Sequence, residues 1–416
     1  MTTPLYPLSS ILHPRRLLVR GVNWLGDAVM TTPALLRLRE ALPETHITLL
    51  THAKLAGLWT GHPAVDEVIT FAPREGVFSI ARRLRRASDL PSPSEPHPAD
   101  GDRKSPARAA GFDAALVLPN SIRTGLEARL AGIPRRIGYA GSWRNWLLTD
   151  AVPWRTDVVK MRKRTAEEVR RLVADADGSA AFRPLQAAVQ DGRGSGVNAA
   201  LRASHHLFHY LHLAAALGAN AEPLAPFIAV TDAEVAAVKA KFHLPDGVLI
   251  GLNAGAEYGP AKRWPAERFV ATARELRARL NCAFVIFGGP ADGALADEIA
   301  AALDTAPAAS VVKLAGRTSL RELCAALRAC RVVLTNDTGP MHVAAAVGTR
   351  VVALFGSTSP ALTGPGLPGG TRHTILRGEA ACAPCFLREC PIDFRCLNSL
   401  PVAAVVDAVE RAAREP

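Results

Sequence analysis

The 416-residue chain is poor in aromatic rings, at 6% Phe, Trp and Tyr, and none of its apolar runs is long enough to span a bilayer. The first shortage counts against a surface that stacks nucleic-acid bases, the second against an integral membrane protein. Met1 to Pro14 has no basic segment ahead of an apolar core, so no secretory signal is expected and the reading is a soluble, cytoplasmic protein. A G-x-G-x-x-G loop after the first predicted strand is missing, as is a Walker A sequence, which counts against a nicotinamide enzyme and a P-loop ATPase. Cysteine is sparse as well. Four of the seven fall in a C-x2-C-x4-C-x5-C run, Cys382, Cys385, Cys390 and Cys396, too few and too late for a secreted disulfide framework. That spacing is not a two-knuckle zinc pattern, and buried free thiols or an interacting tail segment rank ahead of metal ligands. Cys282, Cys324 and Cys330 stand in apolar surroundings and read as core thiols.

What the chain does have is length for two domains and a composition dominated by Ala, Leu, Val and Gly, which suits an α/β enzyme. The net charge of +11 is unevenly placed. Residues 121–172 carry 12 Lys and Arg against 5 Asp and Glu, and Arg82, Arg83, Arg85 and Arg86 form a second cluster. Two basic clusters in one half predict an anionic partner there: nucleic acid, an anionic membrane face or an acidic substrate. A nucleic-acid reading finds no recognition helix, zinc finger or aromatic RNA-binding motif, so no nucleic-acid partner is expected.

Apolar runs and helical periodicity alternate along the chain. Strands are predicted at 16–21, 46–51, 65–71, 112–118 and near Ile137, with helices at 28–41, 77–86 and 122–131. Residues 88–110 are crowded with Ser, Pro, Asp, Lys and Arg and read as an exposed insertion without a core. A helix over 161–176, a polar linker over 178–196 and an apolar-faced helix over 204–217 follow. The alternation then resumes, with strands at 248–253, 283–287, 310–314, 332–334 and 351–355 and a last helix over 401–414. The expected architecture is two doubly wound parallel α/β domains, residues 1–200 and 201–400, with the last helix within 401–416. In such sheets ligands gather where the loops meet at the carboxyl ends of the strands.

Four of those loops carry the chemistry. Asn336-Asp337-Thr338-Gly339-Pro340-Met341-His342 stops a strand at the first turn of a small-residue helix, whose free N–H groups and dipole make a seat for phosphate. Asp337 reads equally as an ordinary N-cap. Asn23-Trp24-Leu25-Gly26-Asp27 puts a carboxylate at a helix start, either a general base or an N-cap. Gly255-Ala256 open a long loop that reaches Lys262, a mobile point charge for a phosphate or a solvated surface lysine. Phe287-Gly288-Gly289-Pro290-Ala291-Asp292 offers an acid where ribose hydroxyls bind in nucleotide folds. Asp175-Ala176-Asp177 has the Asp-x-Asp form of metal-dependent sugar transferases but lies away from a strand end and reads as solvated charge. No metal and no cofactor are expected.

Arg20 to Ala28, Lys262 to Pro265 and Asn336 to His342 together resemble the ADP-heptose:lipopolysaccharide heptosyltransferases of glycosyltransferase family 9. Leu118-Pro119-Asn120-Ser121, Arg135-Arg136-Ile137-Gly138-Tyr139 and the Cys382 to Leu397 segment look like the second enzyme of that group, heptosyltransferase II. The resemblance implies the GT-B fold, two Rossmann-like domains facing a cleft, and inverting transfer of L-glycero-D-manno-heptose from ADP-heptose to the anionic inner core of lipopolysaccharide. By that similarity Asp27 is the base, and Lys262, Thr338, Gly339 and His342 hold the diphosphate. Asp337 would hold the donor heptose, with Gly255, Ala256 and Asp292 lining the rest of the donor site. Arg82, Arg83, Arg85, Arg86, Asn120, Arg123 and Arg144 are the expected acceptor contacts, with peripheral contact to the inner face of the cytoplasmic membrane. The alternatives are a related transferase for another nucleotide sugar or another core heptose and, from a different class, a basic nucleic-acid-binding protein.

Overall fold

The computed structural model describes residues 13–88, 111–141, 143–178, 188–191, 203–303 and 311–415. Most of the predicted 88–110 insertion lies outside the described residues. The strands are β1 (Arg16–Arg20), β2 (His46–His52), β3 (Glu67–Phe71), β4 (Ala114–Val117), β5 (Arg135–Tyr139), β6 (Asp150–Val152), β7 (Ala188–Asp191), β8 (Leu249–Asn253), β9 (Ala283–Ile286), β10 (Val311–Lys313), β11 (Val332–Asn336), β12 (Arg350–Phe355) and β13 (Thr374–Arg377). The helices are α1 (Leu25–Ala41), α2 (Val77–Ser88), α3 (Ile122–Leu130), α4 (Ala166–Asp177), α5 (His206–Ala215), α6 (Asp232–Phe242), α7 (Ala266–Leu280), α8 (Gly293–Leu303), α9 (Leu320–Ala329), α10 (Gly339–Ala346), α11 (Pro360–Thr363), α12 (Arg395–Asn398) and α13 (Val402–Arg414).

The chain forms two compact units. The first holds Met1–Asn23, Thr31–Thr156 and Leu207–Pro223; the second holds Trp24–Met30, Asp157–His206 and Leu224–Pro416. The first unit contains a six-stranded parallel sheet in the order β3-β2-β1-β4-β5-β6, the doubly wound Rossmann order. Leu17, Val19, Leu49 and Leu116 are fully buried in the strands of this sheet, as expected where helices cover both faces. On one side, Leu18, Leu50, Phe71, Leu84, Val117 and Ile133 pack into one cluster with α2 and α3.

The second unit contains a seven-stranded sheet in the order β10-β9-β8-β11-β12-β13-β7, parallel except for β7, which pairs antiparallel with β13. Phe284, Ile286, Leu334, Leu354, Phe269 and Val406 make its large core. The α/β class and the GT-B type of fold stand as the sequence predicts. Among the described residues no helix is long and apolar enough to cross a membrane.

Several elements differ from the sequence reading. The stretch read as a polar linker holds β7, because the open edge of β13 supplies backbone partners that local sequence cannot show. α6 was missed, although Thr231 and Glu234 form a reciprocal capping box at its start. α1 begins at Leu25 rather than Ala28, so Asp27 lies within its first turn.

Candidate active site

In the second unit, β8, β9, β11 and β12 all end on the same side of a parallel sheet, and polar loops follow each of them. Buried amides tie these ends together. Asn253 Nδ2 donates to Thr335 Oγ1 at 2.9 Å. Asn336 Nδ2 donates to Ala254 O at 2.7 Å, and Asn336 Oδ1 accepts from Trp264 N at 3.1 Å. One fully buried side chain thereby fixes both ends of the Gly255 to Trp264 loop.

That loop delivers Lys262, whose Nζ lies 2.6 Å from Asp337 Oδ2. Thr358 Oγ1, from the Gly356-Ser357-Thr358-Ser359 loop after β12, donates to the same oxygen at 2.6 Å. Asp337 is 3% exposed, so its charge is answered almost wholly by these two groups. Lys262 Nζ also sits 5.0 Å from the centre of the Tyr258 ring, and Arg388 packs 5.1 Å from that ring.

The cysteine segment braces this loop. Ala261 N donates to Arg388 O, and Cys385 N and Phe386 N both donate to Ser357 O. Tyr258 Oη donates to Phe386 O at 2.8 Å. Cys382, Cys385, Cys390 and Cys396 line a small cavity with Val169, Ala261 and Ile392. Burial pushes the Cys382 and Cys385 thiols up and Cys396 to about 12, which keeps them neutral and unreactive. Among the described residues no three His, Cys, Asp or Glu side chains converge as a metal set would.

Thr338 caps α10 without a side-chain bond to the helix, and Gly339 and Pro340 open it. A Cβ on Gly339 would come within 3.0 Å of Leu25, so the two helix starts pack closely. His342 is 4% exposed and faces Gly26, where an added Cβ would stand 2.7 Å from its ring. Burial drives the His342 imidazole down to about 4, against the opposing pull of Asp337 and Asp27. It is therefore neutral at physiological pH and not a cation. Asp27 stands near it, with Oδ1 3.7 Å from His206 Nδ1. The sequence reading placed Asp27 in the N-terminal domain; its turn, Trp24–Met30, belongs to the second unit with Lys262, Asp337 and His342.

Asp292 is already engaged. Its Oδ2 accepts from Gly289 N at 3.0 Å and its Oδ1 from Arg263 Nη2 at 3.2 Å, while a Cβ on Gly255 would stand 2.5 Å from its carboxylate. Gly255, Ala256 and Asp292 are thus neighbours, joined by Arg263, whose Nη2 also points at Ala256 O. Arg263, Thr358, Tyr258 and His206 were not singled out from sequence. Thr358 had a signal, a run of small polar residues directly after a buried strand.

In the first unit, Arg20 is buried and bonds Glu127 Oε2 at 2.8 Å, and Arg123 reaches the other oxygen of Glu127 at 3.0 Å. Arg83 pairs with Glu75. Arg82, Arg85 and Arg86 are exposed on α2, which also carries Phe78 at 77% exposure. Arg144 differs from all of these. It is 2% exposed, donates from Nη1 to Pro119 O at 2.9 Å and to Asn120 Oδ1 at 3.4 Å, and its Nε and Nη2 meet no partner among the described residues. Burial lowers its pKa, and among the described residues no carboxylate pairs with it.

A buried lysine–aspartate pair, a neutral imidazole and a carboxylate at a helix start, grouped at strand ends, can hold an anionic leaving group and accept a proton. The profile of glycosyltransferase family 9 (heptosyltransferase) matches residues 195–394. The chain is 31% identical over 353 residues to lipopolysaccharide heptosyltransferase 2 of Salmonella typhimurium, covering 84% of this chain and 85% of that one. It is 30% identical over 375 residues to the Escherichia coli K12 enzyme of the same description, covering 88% and 92%. The solved structure of E. coli ADP-heptose LPS heptosyltransferase II superposes with a TM-score of 0.65 at 26% identity, over 95% of this chain and 99% of that one. The glycosyltransferase family 9 protein of Veillonella parvula gives 0.68 at 22%, over 97% and 98%, a likeness of fold. With its fold, its strand-end site and its relatives in agreement, the chain belongs to glycosyltransferase family 9, the heptosyltransferases.

Proposed function

We propose that this enzyme moves L-glycero-D-manno-heptose from ADP-heptose to the inner core of lipopolysaccharide, with inversion, as a heptosyltransferase II. The observation that carries the reading is the grouping of Asp27, His342 and the Lys262–Asp337 pair in one unit. Its relatives' names supply the donor and acceptor.

In this reading Asp27 Oδ takes the proton of the acceptor hydroxyl as that oxygen bonds to the anomeric carbon. The bond from the anomeric carbon to the ADP oxygen breaks with its electron pair on ADP. Lys262, the Thr338–Gly339 helix start and neutral His342 meet the diphosphate charge. Asp337 turns from Lys262 toward the heptose hydroxyls. Gly255, Ala256, Asp292 and Arg263 border the nucleoside. The reaction needs no metal, since fixed groups neutralise the leaving group.

The acceptor reading rests on the first unit's charge. Arg144 is a buried guanidinium whose Nε and Nη2 meet no partner among the described residues; it lies beside Asn120 and the start of α3 and suits a phosphate or carboxylate of the inner core. Exposed Arg82, Arg85 and Arg86, with Phe78, suit peripheral contact with the anionic inner face of the cytoplasmic membrane. Arg83 and Arg123 are drawn toward Glu75 and Glu127 and serve by holding that surface in shape.

The test is incubation with ADP-heptose and defined truncated lipopolysaccharide acceptors, read by product mass. One added heptose on a heptose-bearing acceptor is expected. Transfer from another ADP- or UDP-sugar with ADP-heptose inert overturns the donor assignment.

A further inference from the structure

A carboxylate that removes a proton from a sugar hydroxyl must pass it on before the next turnover, and the residues around Asp27 differ in their fitness to receive it. His342 is sealed and held neutral by burial. Lys262 is taken up by Asp337 here and by the diphosphate in the proposed reaction. His205, beside in sequence, is buried and spends its Nε2 on Gly364 O at 3.0 Å. His206 is different. Its Nδ1 faces Asp27 Oδ1 at 3.7 Å, and its side chain is 39% exposed, so it touches both the carboxylate and water. It is the first residue of α5, which fixes its backbone, while Asp27 is fixed by the first turn of α1.

We propose that His206 is the positioning residue and proton exit of Asp27, acting through that carboxylate and never on the sugar. The inference rests on the reading of Asp27 as base. After transfer, the proton on Asp27 Oδ1 moves to His206 Nδ1, leaving a carboxylate beside an imidazolium; the imidazolium then gives its Nε2 proton to bulk water, and tautomer exchange through water restores the starting imidazole. Imidazole suits this task because it can take a proton on one ring nitrogen and release one from the other. His342 of α10 faces both members of the pair, and Lys262 from the loop after β8 and Asp337 from the end of β11 act on the same imidazole.

The experiment compares kcat from about pH 5 to pH 9 for the wild type, His206→Ala, His206→Gln and Asp27→Asn, with ADP-heptose and truncated acceptor. In His206→Ala, kcat is expected to fall roughly tenfold to a hundredfold with donor KM little changed, and the acid limb of the profile to lose one ionisation. Added imidazole should restore part of the rate to His206→Ala and none to Asp27→Asn. His206→Gln, which keeps size and polarity but cannot carry the proton, should stay slow. A wild-type profile in His206→Ala, or a wild-type rate in His206→Gln, overturns the proposal. Should the alanine variant melt early, His206→Asn takes its place in the same comparison. An active Asp27→Asn sinks the reading underneath, whereas an inactive Asp27→Asn with a normal His206→Ala sinks only the role of His206.

Discussion

Lys262 Nζ and Asp337 Oδ2 meet at 2.6 Å across 75 positions of sequence, with the carboxylate end nearly closed to water. Removing the cation leaves a buried anion whose remaining hydrogen-bond donor among the described side chains is the Thr358 hydroxyl. Lys262→Met is expected to lose roughly 3 kcal/mol of stability, seen as a lower melting temperature, along with donor binding. The double variant Lys262→Met/Asp337→Asn should regain most of the melting temperature and none of the ADP affinity. Separate recovery of the two measurements would show that the pair serves folding and binding by different routes.

Gly26 and His342 define the tightest approach beside the proposed base. A methyl group at Gly26 would stand 2.7 Å from the imidazole Cδ2 and 3.2 Å from Nε2, so the ring must move. Gly26→Ala is expected to keep its fold, alanine being a better helix former, and to lose roughly tenfold or more in kcat. Steady-state kinetics with circular dichroism checks both halves of this statement.

Three buried imidazoles set a pH dependence of stability. Burial lowers His62, His342 and His373 to about 4. Their unfolded forms titrate near 6.5, so below that pH the unfolded chain binds protons that the native chain refuses. The stability they contribute is complete above pH 6.5 and is lost as pH falls from there toward 4. Melting temperature should drop steeply between pH 7 and pH 5, and His373→Gln, away from the proposed chemistry, should flatten part of that slope.

Arg144 separates acceptor from donor. Arg144→Gln is expected to raise acceptor KM about tenfold while ADP affinity holds, and an acceptor stripped of phosphate should narrow that difference if phosphate is the group it meets. Removing the acceptor's carboxylate instead identifies the other anion. An unchanged acceptor KM in a folded variant would retire this contact.

The strands that carry the site were legible because they are buried on both faces and read as unbroken apolar runs, as in Val332–Leu334 and Val351–Phe355. The abrupt stop of β11 at Asn336 and Asp337 marked the helix start without a structure. α6 escaped because it has no apolar stripe; among its residues only Val238 is buried, so periodicity had little to find. β7 and β13 are four residues each and are strands chiefly because each finds a partner. Among site residues, Asp27, Lys262 and His342 stood at strand ends in plain view. His206 did not, since nothing local links residue 206 to residue 27. Arg83 and Arg123 were read as acceptor contacts; the Arg83–Glu75 pair needed the fold, whereas Arg123–Glu127 is an i,i+4 pair that the predicted helix already offered.

Asn336 has a consequence for how ligand recognition divides its work. Because its amide holds both Ala254 and Trp264, the two ends of the intervening loop are tied by the protein's own groups, without any contact from nucleotide. Association should accordingly resemble a key entering a finished lock, with a small heat-capacity change and little slowing of capture. Mutating this one amide would shift that ordering entropy onto every catalytic cycle.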